Sequence, residues 1–165
     1  MAYPAAGYDV ALVRYRVRPH RYPDALCDLS KAIRICREHA EDWHIDPNQI
    51  VLCGFSAGGH LAASMSTLWN DPSLFSAEEI KSEVYRPNAS VLCYPVITSG
   101  EKAHKDSIIN LIGSDDESSA LWQHVSLEKQ VDERTPPAFL WHTFEDADVP
   151  MENALRFCIR LFGGQ

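Results

Sequence analysis

The stretch "VLCGFSAGGHLAAS", residues 51 to 64, most constrains how this chain can fold. An apolar run breaks at Gly-Phe-Ser-Ala-Gly-Gly, and small, helix-compatible residues follow at once. The apolar run predicts a short strand over residues 50–55, buried on both faces, and the small residues predict a helix over residues 57–68. A buried strand that turns directly into a helix indicates an α/β architecture, in which strands and helices alternate.

Three further apolar segments predict strands, over residues 10–17, 89–96 and 138–142. Between them, "RYPDALCDLSKAIRICREHAEDW" has apolar residues spaced by three and four, which predicts an amphipathic helix, and "MENALRFCIRLF" predicts a last helix. Residues 70–88 are polar with two prolines and predict an irregular excursion. Four strands separated by helices predict a single open α/β domain over residues 1–165, with a mostly parallel sheet and helices on both faces.

Composition excludes several classes of function. Fifteen Lys and Arg against 23 Asp and Glu give a net charge of −8, so nucleic acids and anionic membranes are not expected as partners. The five cysteines are odd in number and mostly lie in apolar segments, which predicts reduced thiols in the core and a cytoplasmic protein. We also expect neither a leader peptide nor a membrane span.

Ser56 occupies the position where chemistry is expected in such a fold. Open α/β sheets bind ligands beyond the carboxyl ends of their strands, and Ser56 follows the strand over residues 50–55. Gly54-Phe55-Ser56-Ala57-Gly58 fits G-x-S-x-G, the nucleophile elbow, in which Gly54 and Gly58 keep a tight turn free of clashes. The Ala57 amide would be one oxyanion donor. The alternative is that Ser56 is an ordinary helix N-cap.

Longer segments carry a resemblance to a known family. "GFSAGGHLAAS", "RYRVRPHRYP", "DWHIDPNQIVLCG", "VLCYPVITSGEKAH", "LEKQV" and "TPPAFLWHTFEDADVPMENALRF" together span most of the chain. They resemble the esterase and lipase group of the α/β-hydrolase superfamily, and most of all small bacterial esterases of the acetylxylan- and feruloyl-esterase-like group. The resemblance implies a serine carboxylic-ester hydrolase that forms an acyl-enzyme and needs neither metal nor cofactor. It also implies a short acyl or acetyl ester substrate, a small molecule or a plant polysaccharide.

The resemblance also implies which carboxylate completes a Ser-Asp-His triad. In this family the acid is the first residue of a D-x-x-V-P motif, in a loop after a late strand. Residues 146–150 have the sequence Asp-Ala-Asp-Val-Pro. Asp146 is therefore the predicted acid, with Asp148 and Glu145 as neighbouring alternatives. The competing interpretation is that all three are solvated loop carboxylates ahead of a helix.

The family's histidine should follow the acid, yet none of the seven histidines lies after residue 142. His60, four residues after Ser56, and His142, at the end of the last predicted strand, are the remaining candidates for a general base. A partner chain is another source of the imidazole.

The His-Gly-Gly-Gly-type oxyanion loop of the family is also missing before Gly54. In the family, the strand that bears this loop lies between the strands matched by residues 10–17 and 50–55. The resemblance therefore implies an incomplete α/β-hydrolase domain, whose unpaired strand edges and uncovered apolar faces favour aggregation. The alternative functions are an inactive fragment or pseudo-enzyme, a prolyl-oligopeptidase-like peptidase and an arylformamidase.

Overall fold

Helices and parallel strands alternate along the chain in the computed structural model, which describes residues 2–163. The strands are β1 (Val51–Phe55), β2 (Ala89–Cys93) and β3 (Ala138–Trp141). The helices are α1 (Ala2–Ala5), α2 (Asp24–Glu38), α3 (Ala57–Leu68), α4 (Ala77–Lys81), α5 (Lys105–Ile112), α6 (Ala120–His124) and α7 (Glu152–Gly163), with a 3-10 turn at Leu127–Lys129. The predicted helix over residues 57–68 is confirmed. The segment predicted to be irregular contains α4.

The three strands form one parallel sheet in the order β1-β2-β3. In the register of the sheet, Gly54 lies opposite Leu92, and Leu92 lies opposite Leu140. Parallel neighbours require crossover connections, and the chain between successive strands supplies them with helices. The carboxyl ends of all three strands therefore lie at one edge of the sheet, where Ser56 and the loop after β3 begin.

One face of this sheet carries the core. Leu92 is fully buried there, together with Met65 of α3 and Phe157 of α7. Helix α2 packs on the outer side of α3 and adds its apolar residues to the same cluster. Helix α3 is consequently buried over most of its length, which explains its run of small and apolar residues.

The opposite face of the sheet is largely exposed within residues 2–163. Val51 and Phe55 of β1 are 50% and 53% exposed, so the prediction that this strand is buried on both faces is wrong. Helix α1 reaches this face through the Tyr3 hydroxyl, which lies 3.8 Å from Cys53 Sγ. All five cysteines are free thiols, but none is fully buried, and Cys53 is exposed. The expected core position of the thiols is therefore also wrong.

Residues 10–17 do not form the predicted strand, because no strand among the described residues pairs with them. Arg16 instead ties the segment to α2, where its guanidinium and backbone N–H both bind the Asp28 carboxylate. The apolar side chain of Leu12 is 85% exposed. The β-branched composition that indicated a strand is present, whereas the neighbouring strand that would complete it is not found among residues 2–163.

Candidate active site

Ser56 adopts a backbone conformation that L-residues rarely take. It stands between β1 and α3 with φ 51° and ψ −119°. Its N–H donates to the Cys93 carbonyl at 3.1 Å, and its own carbonyl accepts from the N–H groups of His60 at 3.1 Å and Val96 at 3.2 Å. Such strained residues persist where surrounding bonds over-determine them, and they concentrate at functional sites. The turn has the geometry expected of a nucleophile elbow.

Two glycines around this turn have no room for a side chain. A Cβ on Gly54 would lie 2.2 Å from the Gly58 carbonyl oxygen, and one on Gly59 would lie 2.8 Å from Pro95 Cβ. A Cβ on Gly58 would meet only the Tyr15 hydroxyl, at an ordinary 3.8 Å. The steric requirement predicted for Gly54 is therefore present, whereas the second one falls on Gly59 rather than on Gly58.

The Ser56 side chain forms no capping bond to α3, so the alternative that it is an ordinary N-cap finds no support. Its Oγ has no hydrogen-bond partner in the described part of the chain, and the residue is half-buried. The next amide, that of Ala57, begins α3 and lacks an intrahelical acceptor because of its position. A hydroxyl without a hydrogen-bond partner among the described residues therefore lies beside the positive end of a 12-residue helix, a suitable place for a developing oxyanion.

Asp146 is the ordered carboxylate of the loop after β3. Its Oδ1 accepts hydrogen bonds from the N–H groups of Val149 at 2.9 Å and Asp148 at 3.0 Å. The Val149 bond contributes most to holding the pKa of Asp146 below its usual value. Glu145 and Asp148 are exposed, so of the three candidate carboxylates Asp146 is the one that the loop positions. It is ionised at neutral pH, as the acid of a triad must be.

The sheet brings Ser56 and Asp146 to the same edge. They follow β1 and β3, which are separated only by β2. Neighbouring strands lie about 4.8 Å apart, so the two strand ends are separated by roughly 10 Å. A histidine that is hydrogen-bonded at both ring nitrogens has the length to link a serine hydroxyl to a carboxylate across such a gap.

Neither candidate base is hydrogen-bonded to the nucleophile. His60 lies one turn below Ser56 on α3, as predicted, but its Nδ1 is 3.0 Å from the Val96 carbonyl oxygen. His142 places Nε2 2.8 Å from the Val149 carbonyl oxygen and 3.5 Å from Asp146 Oδ2. Across residues 2–163 no imidazole forms a hydrogen bond with Ser56 Oγ. Both rings are instead anchored to backbone carbonyls beside the site.

Sequence reasoning missed Asn153, which joins two of the loops at this edge. Its Oδ1 accepts from the N–H groups of Ile97 at 2.9 Å and Thr98 at 3.0 Å, in the loop after β2. Its Nδ2 donates to the carbonyl of Pro150, which ends the Asp146 loop. The only signal in the sequence is a polar residue at a buried position of an amphipathic helix, since Asn153 is completely buried in α7.

Comparisons with known proteins converge on one family. The BD-FAE family model matches residues 1–161. The chain is 40% identical over 138 residues to endo-1,4-beta-xylanase B of Butyrivibrio fibrisolvens, covering 84% of this chain and 21% of that protein. It is 34% identical over 148 residues to an acetylxylan esterase of Xylanibacter ruminicola, covering 88% of this chain and 28% of that protein.

A solved structure shows the same similarity in three dimensions. The acetyl ester-xyloside bifunctional hydrolase of Caldicellulosiruptor lactoaceticus superposes with a TM-score of 0.79 at 40% identity, covering 91% of this chain and 55% of that one. The chain therefore spans between 21% and 55% of the length of these three proteins.

Proposed function

This chain belongs to the BD-FAE family, and from that premise we propose that it carries the nucleophile, Ser56, and the triad carboxylate, Asp146, of a serine carboxylic-ester hydrolase. The resemblance to acetylxylan-esterase-like proteins is confirmed, and the parallel sheet with its helices is a partial α/β-hydrolase fold. The observation that carries the proposal is the strained turn at Ser56, which leaves Oγ free at the N-terminus of α3.

In the proposed reaction, Ser56 Oγ attacks the ester carbonyl while a histidine takes its proton. The oxyanion that forms lies at the N-terminus of α3, where the Ala57 N–H is free to stabilise it. The same histidine, oriented by Asp146, then protonates the leaving alcohol, and water releases the acid from the acyl-enzyme. One ring nitrogen of His60 and one of His142 lie within hydrogen-bond distance of a backbone carbonyl oxygen, and neither ring bonds Ser56. We therefore infer that this histidine comes from outside the 165 residues.

The proposed substrate is a short acyl or acetyl ester on a plant polysaccharide. This choice is supported by the names of the relatives, which are an acetylxylan esterase, a xylanase and an acetyl ester-xyloside hydrolase. Fold similarity alone does not carry a substrate from one protein to another, so the acyl group has to be tested directly.

Hydrolysis of p-nitrophenyl acetate by the purified chain and by its Ser56→Ala variant tests the proposal. Without a triad histidine the chain should be slower than a complete triad by a factor on the order of 10⁴ or more. Imidazole added to the solution should raise a component of the rate that Ser56→Ala lacks, because the free base can then deprotonate Ser56. The variant also reports the background reaction of imidazole with the ester.

If the chain and Ser56→Ala respond identically to imidazole, Ser56 is not a nucleophile and the proposal is wrong. A fast Ser56-dependent rate without imidazole would instead mean that a histidine within the chain, or in a second copy, serves as the base. That result would overturn the part of the proposal that places the base outside residues 1–165.

A further inference from the structure

A cavity of about 360 Å³ lies beside the turn that carries the proposed nucleophile. Ala57, the residue after Ser56, forms part of its wall, and apolar side chains supply much of the rest: Leu26, Leu61, Ile108 and Leu111. An apolar cavity of about 150 Å³ is enough to bind benzene, so this one has room for a substituted six-membered ring. A ring bound there lies next to the position at which an ester would react.

The charged side chains that line this cavity are all basic. Arg16, Arg18 and Arg21 line it together with His20, and among residues 2–163 no Asp or Glu does so. A chain with a net charge of −8 therefore has a locally cationic surface here. Fixed positive groups beside an apolar wall disfavour a cationic ligand and favour an anionic one.

Two of these basic groups are already paired with carboxylates of α2. Arg16 Nη1 lies 3.1 Å from Asp24 Oδ1, and Arg16 Nη2 lies 2.9 Å from Asp28 Oδ1. His20 Nδ1 lies 3.1 Å from the second oxygen of Asp24. The charge that is left for a ligand is therefore that of Arg18 and Arg21.

Arg18 and Arg21 converge on one residue of α5, Asn110. Arg18 Nη1 donates to the side-chain oxygen of Asn110 at 2.8 Å, and Arg21 Nη1 donates to its backbone carbonyl at 2.8 Å. Neither guanidinium pairs with a carboxylate in the described part of the chain. Two like charges held close together repel each other, and an anion beside them offsets this repulsion.

Both guanidinium groups keep N–H donors that a ligand can use. Each has five N–H groups, and Asn110 accepts one from each. The Asn110 carbonyl lies in the last turn of α5, so capping of that helix accounts for one N–H of Arg21 and leaves the others. Arg18 is exposed and Arg21 is half-buried, so a ligand can reach both. Carboxylates match the N–H geometry of arginine, and such charge-assisted bonds are stronger than neutral ones.

We propose that Arg18 and Arg21 bind a carboxylate carried on a six-membered ring of the ester substrate, while the ring packs against the apolar wall of the cavity. The two arginines are then specificity-determining residues. An acidic sugar unit and an aromatic acid both have this chemistry. The word "substrate" rests on the proposed function, whereas the binding of a ring carboxylate does not.

Two pairs of probes test the proposal, because the members of each pair differ mainly in the carboxylate. Methyl glucuronoside is compared with methyl glucoside, and benzoate with benzamide. Their dissociation constants are measured by NMR titration of the 165-residue chain, together with the Nε–H resonances of Arg18 and Arg21. In at least one pair the carboxylate should bind about tenfold more tightly and shift these resonances, whereas its neutral partner should not.

Three variants separate the two arginines from the general charge of the chain. Arg18→Gln and Arg21→Gln each remove one cation of the site, so each should abolish most of the preference for the carboxylate. Arg14→Gln removes the same charge from an exposed arginine of the neighbouring segment that lies outside the cavity wall, so the preference should remain. If Arg21→Gln does not fold, the exposed Arg18 still provides the test.

A preference in the sugar pair alone would identify an acidic sugar as the ligand, and one in the benzoate pair alone would identify an aromatic acid. Equal affinity within both pairs, no binding of any probe, or an equal loss of preference in Arg14→Gln and Arg18→Gln would each overturn the proposal. The imidazole-dependent hydrolysis assay is independent of this titration. A carboxylate preference without Ser56-dependent hydrolysis would keep the binding site and reject the proposed function.

Discussion

At the scale of single residues, the turn at Ser56 depends on close backbone packing both within the motif and against a residue distant in the sequence. A positive φ at a non-glycine residue costs about 1 to 3 kcal/mol, and the three backbone hydrogen bonds around Ser56 offset it. The G-x-S-x-G spacing revealed this turn because Gly54 and Gly58 contact each other within the motif. Gly59 faces Pro95, which is distant in the sequence, so the motif could not reveal its role.

Gly54→Ala should destabilise the fold severely. The new Cβ would lie 2.2 Å from the Gly58 carbonyl oxygen and 2.6 Å from its carbon, and backbone atoms at the start of a buried helix cannot move away cheaply. We expect a loss of about 3 kcal/mol or more in the free energy of unfolding, measured by urea denaturation. Gly58→Ala is the matched control, because its Cβ has room and alanine favours the helix, so its stability should be unchanged or slightly higher. Equal losses in both variants would contradict this account.

At the scale of elements, local pattern predicted the three strands of the sheet and the helices α2, α3 and α7, whose packing partners lie within the chain. The boundaries of α3 were predicted because its small residues and the preceding glycines mark both its face and its start. Residues 10–17 have an equally clear strand composition, yet a strand needs a partner, and composition carries no information about one. The same reason explains why the burial of β1 on both faces was predicted wrongly: the strand is apolar, but only one of its faces is covered.

Helix α4 depends on one carboxylate, that of Glu79. Glu79 forms a capping box with Ser76, accepts a hydrogen bond from the Tyr85 hydroxyl at 2.6 Å, and pairs with Arg34 of α2. The Tyr85 bond is the largest cause of a pKa lowered from 4.5 to about 2, and the Ser76 N–H follows. The side-chain bonds of Glu79 therefore help to fix a short helix that the sequence pattern did not predict.

Glu79→Gln should make the fold less stable in a pH-dependent way. A carboxylate whose pKa is lower in the folded state stabilises the fold above its unfolded pKa, near 4.5, and this contribution is lost as the pH falls towards 2. The difference in unfolding free energy between Glu79→Gln and the unsubstituted chain should thus be largest at pH 7 and shrink below pH 4.5. Urea titrations across this range measure it.

Glu78→Gln provides the control for this pH dependence. Glu78 is in the same first turn of α4, but its side chain is exposed, so removing its charge should change stability by less than about 0.5 kcal/mol at every pH. An offset for Glu79→Gln that stays constant from pH 7 to pH 3 would show that its charge is not what matters.

At the scale of the whole molecule, one face of the sheet packs against the core and the opposite face is largely open. Phe55 of β1 and Phe139 and Trp141 of β3 are each at least half exposed at the open face, on the two strands that flank β2. Contiguous apolar surface of this kind marks an interaction site or an aggregation hazard. Within residues 2–163 no helix is long and apolar enough to cross a membrane. In a pure solution of this chain, the protein that such an apolar face can meet is another copy of the chain.

Phe139→Lys should reduce self-association of the isolated chain. Phe139 is 63% exposed on β3, where a lysine places a charge on the open face and also discourages pairing between strand edges. In sedimentation velocity at protein concentrations in the micromolar range and above, the unsubstituted chain should sediment faster as its concentration rises, and Phe139→Lys much less so. Leu12→Lys makes the same change in charge at an 85% exposed leucine off the sheet, and it should behave like the unsubstituted chain. If the unsubstituted chain stays monomeric throughout, or if both lysine variants reduce association equally, the open face does not drive association.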